Sequence, residues 1–323
     1  MTPLIEAAGL VKTFAVRGAA RGARLHAVDA LSLAVAPGEA VGLTGESGCG
    51  KSTLARLLAR LIDLDAGALS LEGVPIETMS IGRFAVSPQR RLIQMVFQDP
   101  TESLNPRFTA FEAIADPVRA LLRPKSRAEV ETRVHAVADQ VGLGRELLAR
   151  SPRQLSQGQK ARVGIARAMV VEPKLLILDE PTSSLDASGQ ATVLRLLARL
   201  RREADVALLF VSHDLNVVRL LCDRVMVMHL GEIVESGPAR AVLAAPRHPY
   251  TRALVSAVPR IGGGDAEGRA LDGEPGSAID PDPNACRFRS RCPNARELCA
   301  REAPPLRALG QGREARCHFP LEG

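Results

Sequence analysis

The chain has 323 residues, 46% of them apolar, and a formal charge of +6 at pH 7. That much apolar material builds one large core or two smaller ones and excludes an unfolded chain. No apolar run reaches the roughly 18–20 residues that span a bilayer, and the N-terminus lacks the regions of a signal peptide, so a soluble intracellular protein, or one held at a membrane by partners, is expected.

In chain order, the first elements are two short strands, Leu4–Leu10 and Ala27–Val35, whose partial alternation predicts an antiparallel flank. Between them lies a small basic loop, Arg17–Arg24. The apolar run Ala40–Thr44 reads as a buried strand and Leu54–Leu61 as a helix. They bracket Gly45, Glu46, Ser47, Gly48, Cys49, Gly50, Lys51, Ser52 and Thr53, a complete phosphate-binding loop. A strand that turns into a helix through glycines aims backbone N–H groups, and the positive end of the helix dipole, at one spot. Lys51 is expected on the β- and γ-phosphates, Ser52 on Mg²⁺, and the backbone of Gly48–Thr53 around the phosphates of a nucleoside triphosphate.

The next strand, Leu92–Phe97, ends at Gln98, which is placed to bridge Mg²⁺ or an attacking water to a moving part. Residues 101–170 carry helical patterns and few strand signals, and read as a helical subdomain inserted between strands. Near its end, Leu155-Ser-Gln-Gly-Gln159 opens a helix that runs through Met169. Two readings of it stand. Ser156 with Gln159 three residues on is a capping box. Alternatively, the Ser156 hydroxyl, the Gly158 N–H and the helix dipole make a second phosphate site. The strand Leu175–Leu178 ends in Asp179 and Glu180. Behind a phosphate loop, Asp179 is expected in the Mg²⁺ shell and Glu180 beside the attacking water. Val206–Val211 leads to His213, expected at the same sheet edge, near the γ-phosphate and the water. With Val225–Leu230, these runs show little alternation and imply an α/β domain with a largely parallel sheet covered on both faces. After Pro259 periodicity fades, which predicts a main domain over 1–259, a linker over 260–284 and a cysteine-organised region over 285–323.

Taken in order, Gly45–Thr53, Gln98, Leu155–Gln159, Leu175–Glu180, Ser184-Leu185-Asp186 and His213 resemble the ATP-binding subunits of ATP-binding-cassette (ABC) transporters, over roughly residues 4–260. One position departs: Gln157 stands where the family usually has Gly, at a position that varies within it. The resemblance implies a P-loop ABC ATPase with a RecA-like parallel-sheet core. It also implies that ATP is sandwiched between one chain's phosphate loop and the Ser156–Gln159 signature of another. By the same likeness, Asp186 communicates across that dimer, Phe14 stacks on adenine, and Gln98 with the helical region meets membrane subunits. Phe14 also reads as an ordinary core residue.

Two longer stretches, Val96–Pro106 and His248-Pro-Tyr to Pro259, look like the oligopeptide/dipeptide importer type, most like the second ATPase of a dipeptide system. Pro249 also suits the first turn of a helix. This likeness implies a second ABC ATPase subunit as partner, usually a different chain, two transmembrane permease subunits and, indirectly, an external solute-binding protein. The place implied is peripheral, on the cytoplasmic face of a bacterial inner membrane. Peptides are the expected cargo; nickel, opines, glutathione and sugars use similar cassettes. The rival is a soluble ABC ATPase serving an enzyme complex such as a carbon–phosphorus lyase assembly. No Trp and a single Tyr, Tyr250, leave few stacking platforms, so no nucleic-acid partner is expected.

Of six cysteines, Cys286, Cys292, Cys299 and Cys317 crowd into the last 38 residues with spacing C-x5-C-x6-C-x17-C. A reducing compartment disfavours two disulfides. Zinc sites usually carry tighter C-x2–4-C knuckles, so Zn²⁺ is an alternative. Four thiolates at wider spacing suit a [4Fe–4S] cluster, and the C-terminal extensions of peptide-importer ATPases resemble this pattern and carry such clusters. Free thiols in a loop-rich tail remain the plain reading.

Overall fold

The apolar runs become the middle of one sheet. A computed structural model describes residues 2–16, 18, 22–258 and 276–322. Its strands are β1 (Ile5–Ala15), β2 (Arg24–Val35), β3 (Ala40–Thr44), β4 (Ala66–Leu71), β5 (Val74–Pro75) and β6 (Ile93–Val96). They continue with β7 (Leu175–Asp179), β8 (Ala207–Val211), β9 (Arg224–His229), β10 (Glu232–Pro238), β11 (Leu306–Gly310) and β12 (Arg313–Arg316). The main sheet runs β11-β12-β10-β9-β3-β8-β7-β6. Its centre is parallel: β3 pairs with β8 and β9, and β7 with β8 and β6. Every residue of β3, β6, β7 and β8 is buried, which is why these strands read as largely apolar runs.

Alternate side chains of these strands feed two separate cores. Leu175 and Ile177 of β7, with Leu209 and Val211 of β8, face one core. It holds Leu54, Leu57 and Leu58 of the helix Lys51–Leu58 and the inner face of a second sheet. Burying those three leucines contributes roughly 1.5–3 kcal/mol each. That second sheet is antiparallel, in the order β2-β1-β4-β5, with Ile5 paired to both Val35 and Leu71. Leu176, Leu178, Leu208 and Phe210 face the other core, shared with Ile114, Val134, Val163 and Ile165 of the helical region. That region is built on the helices Ala110–Pro117, Arg127–Gln140 and Gln157–Met169. Thr109 with Glu112, and Ser156 with Gln159, form capping boxes at two of their N-termini.

The cysteine-rich segment joins the main sheet. β9 and β10 form a hairpin through Leu230 and Gly231, both at positive φ (44° and 88°), as a two-residue hairpin turn requires. β12 then pairs with β10, Glu235 opposite Ala315, and β11 closes the edge against β12. Part of the predicted linker also runs along β2: the His26 N–H donates to the Ala278 carbonyl at 2.8 Å, and Leu25 bridges Ile279. Residues 259–275 of that linker, and Arg17, Ala19, Ala20 and Arg21 of the basic loop, lie outside the described residues. Among the described residues no helix is long and apolar enough to cross a membrane.

Candidate functional site

β3 delivers the chain into the glycine-rich loop. Gly45, Gly48 and Gly50 adopt positive φ of 151°, 80° and 110°. A Cβ on Gly45 would stand 2.1 Å from the Met228 carbonyl oxygen, and one on Gly50 2.0 Å from that of Ala27, so no side chain fits either place. The helix Lys51–Leu58 starts at Gly50 with no side-chain cap and no acidic residue in its first turn. Its leading N–H groups are therefore free to face an anion. Lys51 is 6% exposed; its ammonium donates to the carbonyls of Gly45 (2.8 Å) and Glu46 (2.9 Å), across the loop. Cys49 is buried beneath it, and burial pushes its thiol up.

The carboxylates arrive from the tip of β7. Asp179 is 3% exposed and accepts a hydrogen bond from the Ser52 hydroxyl at 3.1 Å. Burial raises its pKa and the neighbouring Glu180 charge adds to that, against the pull of Ser52, Arg56 and Lys51. A buried carboxylate beside a hydroxyl is a fitting oxygen pair for a hard divalent cation such as Mg²⁺. Glu180 holds φ of 46°, a left-handed conformation that costs a bulky residue about 1–2 kcal/mol. Its N–H donates to the Val211 carbonyl at 3.0 Å, fixing the turn. One Glu180 oxygen accepts from the Gln98 amide at 3.2 Å, and the other stands 3.4 Å from His213 Nδ1.

These groups share a cleft of about 550 Å³. Ser47, Gly48, Gly50, Lys51, Ser52 and Thr53 line it, with Gln98, Glu180 and His213 opposite. Phe14 lines it as well and is 39% exposed, with the Lys12 ammonium 5.6 Å from its ring centre. Leu25 and Ala27 of β2 complete the wall, and no sequence signal singled them out. Ser156, Gly158 and Gln159 do not line this cleft. Ser156 caps its own helix, accepting from the Gln159 N–H at 3.3 Å, and the space around Gly158 is open. Asp186 likewise caps the helix Ala187–Ala204 through the Gly189 N–H at 3.0 Å.

Two partners of the loop escaped sequence reasoning. The Glu46 N–H donates to the Tyr250 hydroxyl at 2.8 Å. The Glu46 carboxylate receives both terminal nitrogens of Arg291, at 2.8 and 2.9 Å, and that guanidinium holds its pKa down. Both lie more than 200 residues away along the chain, beyond any local pattern.

The four C-terminal cysteines form no disulfide and lie in one neighbourhood. The Cys286 N–H donates to the Cys299 carbonyl at 2.9 Å. Burial pushes the Cys286, Cys292 and Cys317 thiols up, and the nearness of the other cysteines adds to it. Among the described residues, no group of three or more His, Cys, Asp or Glu side chains is arranged to hold a metal ion. The expected [4Fe–4S] cluster and its Zn²⁺ alternative therefore find no assembled ligand set.

Comparison with known proteins bears on the whole chain. The ABC transporter family matches residues 28–183, and the oligopeptide/dipeptide transporter C-terminal region matches residues 234–299. The chain is 47% identical over 286 residues to the oligopeptide transport ATP-binding protein OppF of Escherichia coli K12, covering 87% of this chain and 84% of that one. It is 45% identical over 297 residues (91% and 82%) to the probable peptide ABC transporter ATP-binding protein y4tS of Sinorhizobium fredii. A putative peptide import ATP-binding protein of Brucella ovis is 40% identical over 98% of both chains. Among solved structures, the dimeric ATP-binding cassette MJ0796, in a post-hydrolysis state bound to ADP and Pi, superposes with a TM-score of 0.66 at 27% identity, covering 73% of this chain and 99% of that one. On fold, motifs and relatives together, the chain belongs to the ATP-binding subunits of ABC transporters, in their oligopeptide/dipeptide branch.

Proposed function

We propose that the chain hydrolyses ATP to energise peptide import, as the nucleotide-binding subunit of an ABC transporter. The carrying observation is the convergence on one cleft of an uncapped helix N-terminus, Lys51, and the Glu180 carboxylate held by Gln98 and His213. In this reading the amides of Gly48–Thr53 and the Lys51 ammonium bind the β- and γ-phosphates. Ser52 and Asp179, with Gln98, would hold Mg²⁺, which when bound would neutralise charge developing on the phosphate oxygens. Glu180 draws the proton of a water whose oxygen attacks the γ-phosphorus as the bond to the β-phosphate oxygen breaks. His213 and Gln98 fix the direction of that carboxylate. Phe14 offers its ring to the adenine.

Ser156, Gly158 and Gln159 stand outside this cleft, so a site that uses them takes them from a second cassette. Dimerisation of ATPase domains and docking on membrane permeases follow from membership of the family. The finer arrangement is proposed: a non-identical second cassette, two permease subunits, an external solute-binding protein, and a position on the cytoplasmic face of a bacterial inner membrane. Asp186 is assigned to signalling across the cassette pair. Co-purification with two polytopic membrane proteins supports this; co-purification with soluble catalytic subunits refutes it. A [4Fe–4S] cluster on Cys286, Cys292, Cys299 and Cys317 is a separate proposal, resting on their common neighbourhood. Iron and acid-labile sulfide in anaerobically purified protein support it, and their absence refutes it.

The test of the catalytic assignment is Glu180→Gln in the assembled transporter. ATP binding persists while turnover falls about 10²–10⁴-fold, the usual contribution of a positioned base. Near-normal hydrolysis removes Glu180 from that role.

A further inference from the structure

Glu46 puts a negative charge inside a loop shaped to receive a triphosphate. It is the second residue of that loop, beside Gly45, and its side chain is not left to solvent. Arg291 grips the carboxylate with a two-pronged guanidinium contact, at 2.8 and 2.9 Å. The Arg291 side chain is 4% exposed. The Glu46 N–H is aimed at the Tyr250 hydroxyl, 2.8 Å away, so this amide points out of the phosphate-binding concavity. The Glu46 carbonyl accepts from Lys51. All three polar groups of one loop residue are thus assigned, two of them to the C-terminal third of the chain.

The gripping groups are themselves rigid. Tyr250 is fully buried in the first turn of the helix Pro249–Ser256, which His248 caps by accepting the Tyr250 N–H at 3.0 Å. Its ring packs on His229 at 4.4 Å and on Phe288 at 5.4 Å between centres. Arg291 ends the single turn Arg289–Arg291 that follows Phe288. Nearby, Arg287 anchors the same segment to Asp29 and to the Leu230 carbonyl.

We propose that Arg291 and Tyr250 are positioning residues for nucleotide binding: the C-terminal segment clamps the phosphate loop at Glu46, cancels its charge and fixes its backbone. Neither touches the nucleotide in this account. Glu46 acts as the latch that ties ATP affinity to docking of the cysteine-rich segment. The inference needs only that the loop binds ATP, whatever the cargo. A transporter for another solute leaves it intact.

The test is a charge cycle on the full-length chain, read as the Kd for Mg–ATP by equilibrium titration. Arg291→Gln leaves the Glu46 charge bare beside the phosphates and raises Kd about 5–20-fold. Glu46→Gln removes the repulsion but also weakens the latch, and the two effects offset, so Kd stays within about threefold of the wild-type value. The double variant, Glu46→Gln with Arg291→Gln, returns to within about threefold of the wild-type value. A double variant as weak as Arg291→Gln alone overturns the proposal, since Arg291 then serves only the tail's structure; a Glu46→Gln as weak as Arg291→Gln overturns it too, since the bare charge is then not what harms binding. Should Arg291→Gln not fold, Tyr250→Phe carries the test: it keeps the ring, removes only the acceptor of the Glu46 N–H, and raises Kd about threefold. An unchanged Kd there overturns the clamp.

Discussion

Glu235 is a carboxylate with no exposed surface, in the middle of β10. One oxygen accepts from the Arg247 N–H at 2.8 Å and from the Arg313 guanidinium at 2.9 Å; the other accepts from the His248 N–H at 2.9 Å. Arg313 belongs to β12, so this pair joins the C-terminal hairpin to the ATPase sheet. Arg313→Leu removes the cation and leaves a buried carboxylate with two backbone donors. Breaking a buried pair this way costs about 3–5 kcal/mol, mostly the charge left uncompensated. At about 2–4 °C per kcal/mol for a domain of this scale, Tm falls by about 6–20 °C. Adding Glu235→Gln removes the stranded charge and keeps one oxygen acceptor, so the double variant recovers about 1–2 kcal/mol relative to Arg313→Leu. Calorimetry or far-ultraviolet circular dichroism measures both, the latter suiting a chain without Trp. A loss below about 1 kcal/mol in Arg313→Leu, against the expected range for a buried pair, refutes the reasoning. So does a double variant less stable than the single.

The glycines of the phosphate loop give a second expectation. Gly50→Ala brings a Cβ to 2.0 Å from the Ala27 carbonyl oxygen at a φ of 110°, so the loop must open and ATP affinity falls at least about tenfold. Normal ATP titration of that variant shows that the loop tolerates widening. Acid should also loosen the C-terminal docking. Burial holds His229 neutral, its pKa lowered to about 4, and burial with the nearby His229 takes His248 to about 3. In the unfolded chain both titrate near their ordinary value of about 6.5. The unfolded state thus binds more protons between those limits, so stability is full above about pH 6.5 and is lost as pH falls toward 4 and 3, by up to about 1.4 kcal/mol per pH unit for each ring. Melting scans from pH 7 to 5 show the fall, and His229→Phe removes one ring's share of it, leaving that of His248. A flat profile in the unaltered chain refutes the assignment.

The five central strands were legible to within a residue or two because each is buried on both faces and is spelled mostly in apolar residues, chiefly Val, Leu, Ile and Met. β10 was not, because Glu-Ile-Val-Glu-Ser-Gly-Pro breaks the apolar run with polar residues that find partners only on folding. Ser236, for example, donates to Glu314, 78 positions later. β11 and β12 are short, and β12 is Arg-rich; edge pairing with β10, rather than intrinsic preference, makes them strands. Within the site, strings local in sequence were readable: the loop, the Asp179–Glu180 step, Gln98 and His213. Leu25, Ala27, Tyr250 and Arg291 were not, since what places them beside the loop is sheet order and a hairpin formed far along the chain.

That hairpin also decides how the protein can be cut. Sequence composition invites trimming after Pro259 to leave a minimal cassette. Such a truncation would strip β12 from β10 and present a bare strand edge, an open template for pairing with other chains. It would also strand Glu235 and Glu46 without their arginines. The tail is thus an addition in sequence but not a module in construction.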